Sequence, residues 1–105
     1  MKAILYNITF KVAHDFLDEW LVWVNQVYIA IHIKSPVFTS FKLLRIFGGD
    51  AEDGVSYAVQ FIADDILNFQ KFAANEALDI HKIQKEYCGE RALSFSTVME
   101  IVNQD

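Results

Sequence analysis

Two side-chain amides, Asn7 and Gln60, and three hydroxyls, Thr9, Ser94 and Ser96, are the polar groups whose spacing suggests a shared task. Each lies one step out of phase with a β-forming apolar run. Neighbouring strands would gather them on one sheet face, where they would either orient a small ligand by hydrogen bonds or face water. Were the chain an enzyme working without a cofactor, Tyr57 or His81 would be the candidate proton carriers. Of the histidines, His14, His32 and His81, none stands at i,i+4 from another or beside a cysteine at ligand spacing, so no metal is expected. All three read as solvated or capping residues, with His81, next to the core position Ile80, the exception to watch. Cys88 has no motif that would supply a base or lower its pKa and reads as a buried structural thiol. Asp50, Glu52 and Asp53 lack the alternation of a calcium loop and suit a hairpin turn, while Asp64 and Asp65 suit a helix cap. Neither a glycine-rich phosphate loop nor a serine-nucleophile elbow is present.

The elements that must position these groups follow from periodicity. Ile4, Tyr6, Ile8, Phe10 and Val12 alternate with mostly polar residues, which predicts a strand with one covered face. Asp15 offers an N-cap, Asp18 suits the first turn, and Phe16, Trp20, Val24, Val27 and Ile31 recur at helical intervals. This helix should end by about Lys34, because Ser35 precedes Pro36. Leu21, Trp23 and Tyr28 fall outside its narrow stripe although they are large and apolar. Phe38–Phe47 and Val55–Ala63 form a hairpin across the connector Gly48–Gly54. Asp64-Asp65 opens a second helix through Ile66, Phe69, Phe72, Ile80, Ile83 and Tyr87, which Gly89 terminates, and Ala92–Val102 is the last strand.

The order β-α-β-β-α-β, with two right-handed crossovers, predicts an α+β, ferredoxin-like domain spanning residues 1–105. It has a four-stranded antiparallel sheet with two helices on one face and the first and third strands central. Tyr6, Ile8, Phe10, Tyr57, Val59 and Phe61 then lie under the helices, flanked by Phe95, Met99 and Ile101. The opposite face shows Asn7, Thr9, Ala58, Gln60, Ser94 and Ser96, and is expected to be small and polar. A two-layer domain leaves that face for solvent or for a partner, and self-association is the simplest cover.

Composition narrows the classes. The 105 residues are 53% hydrophobic with four Gly and one Pro, which suits one folded domain. A net charge of −5 disfavours nucleic acid. An RNA-recognition module would also need Tyr6, Tyr57 and Phe61 exposed, and they are better placed in the core. The single cysteine fits a reducing compartment, so the cytoplasm is expected. Trp20–Ile33 is apolar but short and interrupted by Asn25, Gln26 and His32, so no membrane span is expected.

Ile4-Leu5-Tyr6-Asn7, the aromatic helix around Trp20 and Trp23, Phe38-Thr39 with Leu43-Leu44, Tyr57-Ala58-Val59-Gln60-Phe61, and Ser94-Phe95-Ser96-Thr97 with Glu100 together resemble a bacterial family, the domain of unknown function 4286. The resemblance covers nearly the whole chain. It implies similarity to dimeric α+β barrel proteins, in which two sheets face each other around a pocket. It brings no established activity. The family pattern has a His and a Pro near the end of the first helix, where this chain has Tyr28 and Ala30. The expected function is therefore a small homodimeric ligand-binding or regulatory module. The alternative is a cofactor-independent enzyme acting on an aromatic or carbonyl compound.

Overall fold

The structure is a computed structural model that describes residues 3–48 and 53–103. Asp50 and Glu52 of the acidic turn lie outside the described residues. β1 (Ile4–Val12), β2 (Phe38–Arg45), β3 (Val55–Ala63) and β4 (Ala92–Glu100) form one antiparallel sheet in the order β2-β3-β1-β4. The first and third strands are central, as the order of elements and the right-handed crossovers predict. At the hairpin base a side chain at Gly54 would meet the Val12 carbonyl oxygen at 2.6 Å, so glycine is required there by close backbone approach. Lys11 Nζ pairs with Asp53 Oδ1 at 3.1 Å across the same corner.

The first helical rod is not a uniform α-helix. A 3₁₀ turn (His14–Phe16) leads into α1 (Leu17–Trp23), a π-helical turn (Val24–Tyr28) and α2 (Ile29–Ile33). The entry makes no side-chain cap, contrary to the role expected of Asp15; the 3₁₀ turn closes with the Phe16 amide donating to the Ala13 carbonyl. The π turn explains the buried face. Phe16, Trp20, Val24, Tyr28 and His32 are all buried and recur every fourth residue. In a regular α-helix each four-residue step overshoots a full turn by about 40°, so this series would wind off the core. The Ile29 amide donates to the Val24 carbonyl five residues back, and the widened turn returns the series to the sheet. Tyr28 and Trp23 are thus buried rather than peripheral, while Val27 and Ile31 are only partly covered.

The second helical region is broken at Asn75 into α3 (Ile66–Ala74) and α4 (Glu76–Cys88). Asp65 Oδ1 caps α3 by accepting from the Leu67 amide at 2.8 Å. Asn75 leaves helical geometry (φ −120°, ψ −74°) while its side chain donates to the Lys71 carbonyl, which ends α3. Gly89, at φ +56°, terminates α4. Arg91 fastens that end: its guanidinium donates to the carbonyls of Tyr87 and Cys88 and lies 3.9 Å over the Phe16 ring. Trp23 stacks on Tyr87 at 5.1 Å and joins the first rod to α4.

Beneath the helices the core is aromatic. Phe38 from the sheet packs on Phe61 beside it and meets Phe72 from α3 edge-on at 4.9 Å. Trp20, fully buried, packs against Phe10 and Tyr57.

Candidate functional site

Strand register decides which polar groups can cooperate. Cross-strand partners share a face, and Ile8 pairs with Ser96 while Phe10 pairs with Ser94. Both serines therefore lie on the helix side of the sheet, not beside Asn7 and Gln60. Their positions on the open face are taken by Leu93, Phe95, Thr97 and Met99. Phe95, expected to flank the core, is 65% exposed, and Met99 is also exposed. The physical reason is that apolar residues occupy both parities of β4, so composition could not fix its phase. Ala92, buried opposite Val12, sets it, and a shift of one residue exchanges the faces.

Asn7, Thr9 and Gln60 do share the open face. Gln60 Nε2 donates to Asn7 Oδ1 at 3.2 Å, and Asn7 Nδ2 donates to Thr9 Oγ1 at 3.0 Å. Lys42 pairs with Gln60, and Asn7 with Thr97, so Lys42, Gln60, Asn7 and Thr97 form a polar row crossing all four strands. Leu5, Ile62 and Met99 flank this row on one side, and Leu44, Ala58 and Phe95 on the other. The face is therefore apolar around a polar line, rather than small and polar throughout. Arg45, at odd spacing from Lys42, belongs to the other face.

On the helix side a cavity of 170 Å³ lies between β1, β4, α4 and the second half of the first rod. Its polar lining comprises Tyr6, Tyr28, His32, Gln84, Ser94 and Ser96, with His81 at the same site. Ile8, Ala77 and Ile80 supply apolar wall. Gln84, buried, donates from Nε2 to Ser94 Oγ at 2.6 Å, which binds α4 to β4 beside the cavity. His81 is exposed at this site, whereas Tyr57 is absent from it and half-buried against Trp20 at 5.3 Å. The two expected proton carriers are thus separated.

His32 is the residue that sequence reasoning missed. It is 1% exposed, its ring stacked on Phe61 at 4.3 Å and close to Tyr28 at 4.6 Å. Its Nδ1 lies 2.7 Å from the Tyr28 carbonyl oxygen, which can only accept, so Nδ1 carries the proton. Burial pushes its pKa down to about 4, against the opposing effect of that hydrogen bond. At neutral pH the ring is uncharged and Nε2 holds a free lone pair. Burial also raises the pKa of Tyr6 and, further, that of Tyr28, which keeps both hydroxyls protonated as donors. The signal available in the sequence was the every-fourth series Phe16, Trp20, Val24, Tyr28, His32, which is visible only to a reader who allows a π turn. Tyr28 faces this cavity together with His32.

Elsewhere the chemistry is quiet. Cys88 is buried, and burial raises its thiol to about 11, in accord with a structural role. No cluster of potential metal ligands exists among the described residues.

The sequence profile of the domain of unknown function DUF4286 matches residues 3–102. The chain belongs to this family. No curated protein matches it. Solved structures share the family member's fold at low identity. An ethyl tert-butyl ether D (EthD) family protein from Bacillus halodurans is 16% identical with a TM-score of 0.64, over 92% of this chain and 97% of that one. A dimeric ferredoxin-like protein from an uncultured marine organism is 10% identical with a TM-score of 0.61, over 100% of both chains. SnoaB, a cofactor-independent oxygenase from Streptomyces nogalater, is 14% identical with a TM-score of 0.62, over 100% of this chain and 97% of that one. The ferredoxin-like α+β fold is thereby established for this chain. No helix among the described residues is long and apolar enough to cross a membrane.

Proposed function

We propose that this DUF4286 member is a homodimeric module that binds a small molecule in the cavity between sheet and helices of each subunit. The carrying observation is the convergence of Tyr28, His32, Gln84 and Ser94 on one cavity in an otherwise aromatic core. Polar groups are gathered at that depth at a desolvation cost that a ligand's hydrogen bonds would offset. Pairing through the open sheet face is supported by its exposed Leu44, Leu93, Phe95 and Met99 and by the dimeric ferredoxin-like protein of the same fold. The lone buried thiol accords with a reducing, cytoplasmic setting, and the acidic charge with a partner other than nucleic acid.

A second reading, cofactor-independent catalysis on a small aromatic or carbonyl compound, is favoured by His32, a neutral imidazole with a defined acceptor nitrogen beside two protonated tyrosines. The oxygenase SnoaB shares the fold and lends that reading support by analogy.

Thermal unfolding in the presence of phenols, aromatic acids and ketones tests the cavity. A binder present at about 100 times its Kd stabilises by about 2.7 kcal/mol through mass action. The wild type should show such a rise with at least one compound, and Ala77→Phe, which fills the cavity from α4, should remove it. A panel without any shift, or a shift that survives Ala77→Phe, would refute the assignment.

A further inference from the structure

The cavity's lining specifies its ligand more closely than its existence does. Among the described residues no Lys, Arg, Asp or Glu lines it. A carboxylate or phosphate would find no permanently charged cation in the wall and would lose its hydration, a cost of several kcal/mol. The volume of 170 Å³ is near that of an engineered apolar cavity of about 150 Å³ that holds benzene, so a single aromatic ring fits. The hydrogen-bonding pattern is equally selective. His32 has its Nδ1 proton committed to the Tyr28 carbonyl, so the imidazole edge left for a ligand is an acceptor. The Tyr28 hydroxyl has no partner among the described residues, and Ser94 Oγ already accepts from Gln84, which leaves its proton to give.

We propose, building on the small-molecule reading above, that this cavity selects an uncharged single-ring phenol whose hydroxyl donates to His32 Nε2 and accepts from a cavity hydroxyl. Ile8, Ala77 and Ile80 cover the ring. The titratable groups around the bound hydroxyl are Tyr6 on β1, Tyr28 on the first rod and His81 on α4, while β4 presents none.

Titration calorimetry with phenol, anisole and benzoate provides the test. Anisole keeps the ring and loses the donor; benzoate keeps the ring and adds charge. Phenol should bind at least roughly tenfold more tightly than either, the difference that one matched hydrogen bond makes. His32→Phe, which preserves an aromatic partner for Phe61, should bring phenol down to the level of anisole; the three-ligand comparison on the wild type decides the matter even if that variant fails to fold. In a His81→Gln background, phenol affinity should stay level from pH 8 to about pH 5, because Nε2 remains unprotonated until about pH 4. An ordinary imidazole would lose its acceptor near pH 6.5. Anisole or benzoate binding as tightly as phenol, or affinity falling between pH 7 and pH 6, would overturn the phenol assignment. If other compounds bind in an Ala77-dependent way and phenol does not, this inference fails and the small-molecule reading stands; if nothing binds, both fail.

Discussion

A buried histidine held neutral ties the site to stability. His32 has a folded-state pKa of about 4 against an ordinary 6.5, so the unfolded chain binds its proton first as pH falls. Its contribution is complete above pH 6.5 and is lost progressively between there and pH 4. From pH 7 to pH 5 the loss is about 2 kcal/mol. Urea unfolding at the two pH values should show that loss in the wild type and a smaller one in His32→Gln; equal losses would remove His32 as the cause. The exposed Lys11–Asp53 pair lies outside this window, because its hydrogen bond lowers the Asp53 pKa from an ordinary 3.8, and its small, solvent-screened contribution is lost only at more acidic pH.

At the scale of elements, the position of that histidine depends on the π turn. Deleting Gln26, an exposed residue within Val24–Tyr28, would restore a regular α-helix and leave Tyr28 seven residues from Trp20, within about 20° of two full turns, so Tyr28 and His32 would keep facing the core. The variant should keep near-ultraviolet dichroism and cooperative unfolding, as should Gln26→Ala, whereas removing Asn25 as well turns Tyr28 and His32 away by about 100° and should lose both. A single-deletion variant without native tertiary signals, or a double-deletion variant that keeps them, would show that the π turn does not act by setting the phase of the rod. The same element marks the limit of what sequence reveals. β1 and β3 were legible because their apolar residues keep one parity throughout, and the helix order followed from them. β4 was not, because Leu93, Phe95 and Met99 compete with Val98 and Ala92 for the core, and only register against β1 resolves the contest. The candidate site was half legible: Ser94, Ser96 and His81 do meet in one cavity, but on the opposite side of the sheet from Asn7, Thr9 and Gln60. Tyr28 and His32 were hidden because a 3.6-residue period assigns them to the wrong side of the rod.

For the whole molecule, the proposed pairing would use the uncovered sheet face. Its apolar flanks would bury Leu44, Phe95 and Met99 in a two-fold pair, while the row from Lys42 to Thr97 would meet its own copy across the axis. Light scattering during gel filtration should give twice the 12.1 kDa chain mass, and Phe95→Glu, which enters a symmetric interface twice, should give the monomer with its fold intact. A monomeric wild type at micromolar concentration would leave the face to solvent and remove the homodimer from the proposal. The buried Cys88 has a use of its own. As the only thiol, sealed between the end of α4 and the sheet, it can react with a labelling reagent only when that seam parts. Its modification rate is thus a built-in clock for opening of the native state, readable without a tag or an added probe, and it runs in the same molecule whether the cavity is filled or empty.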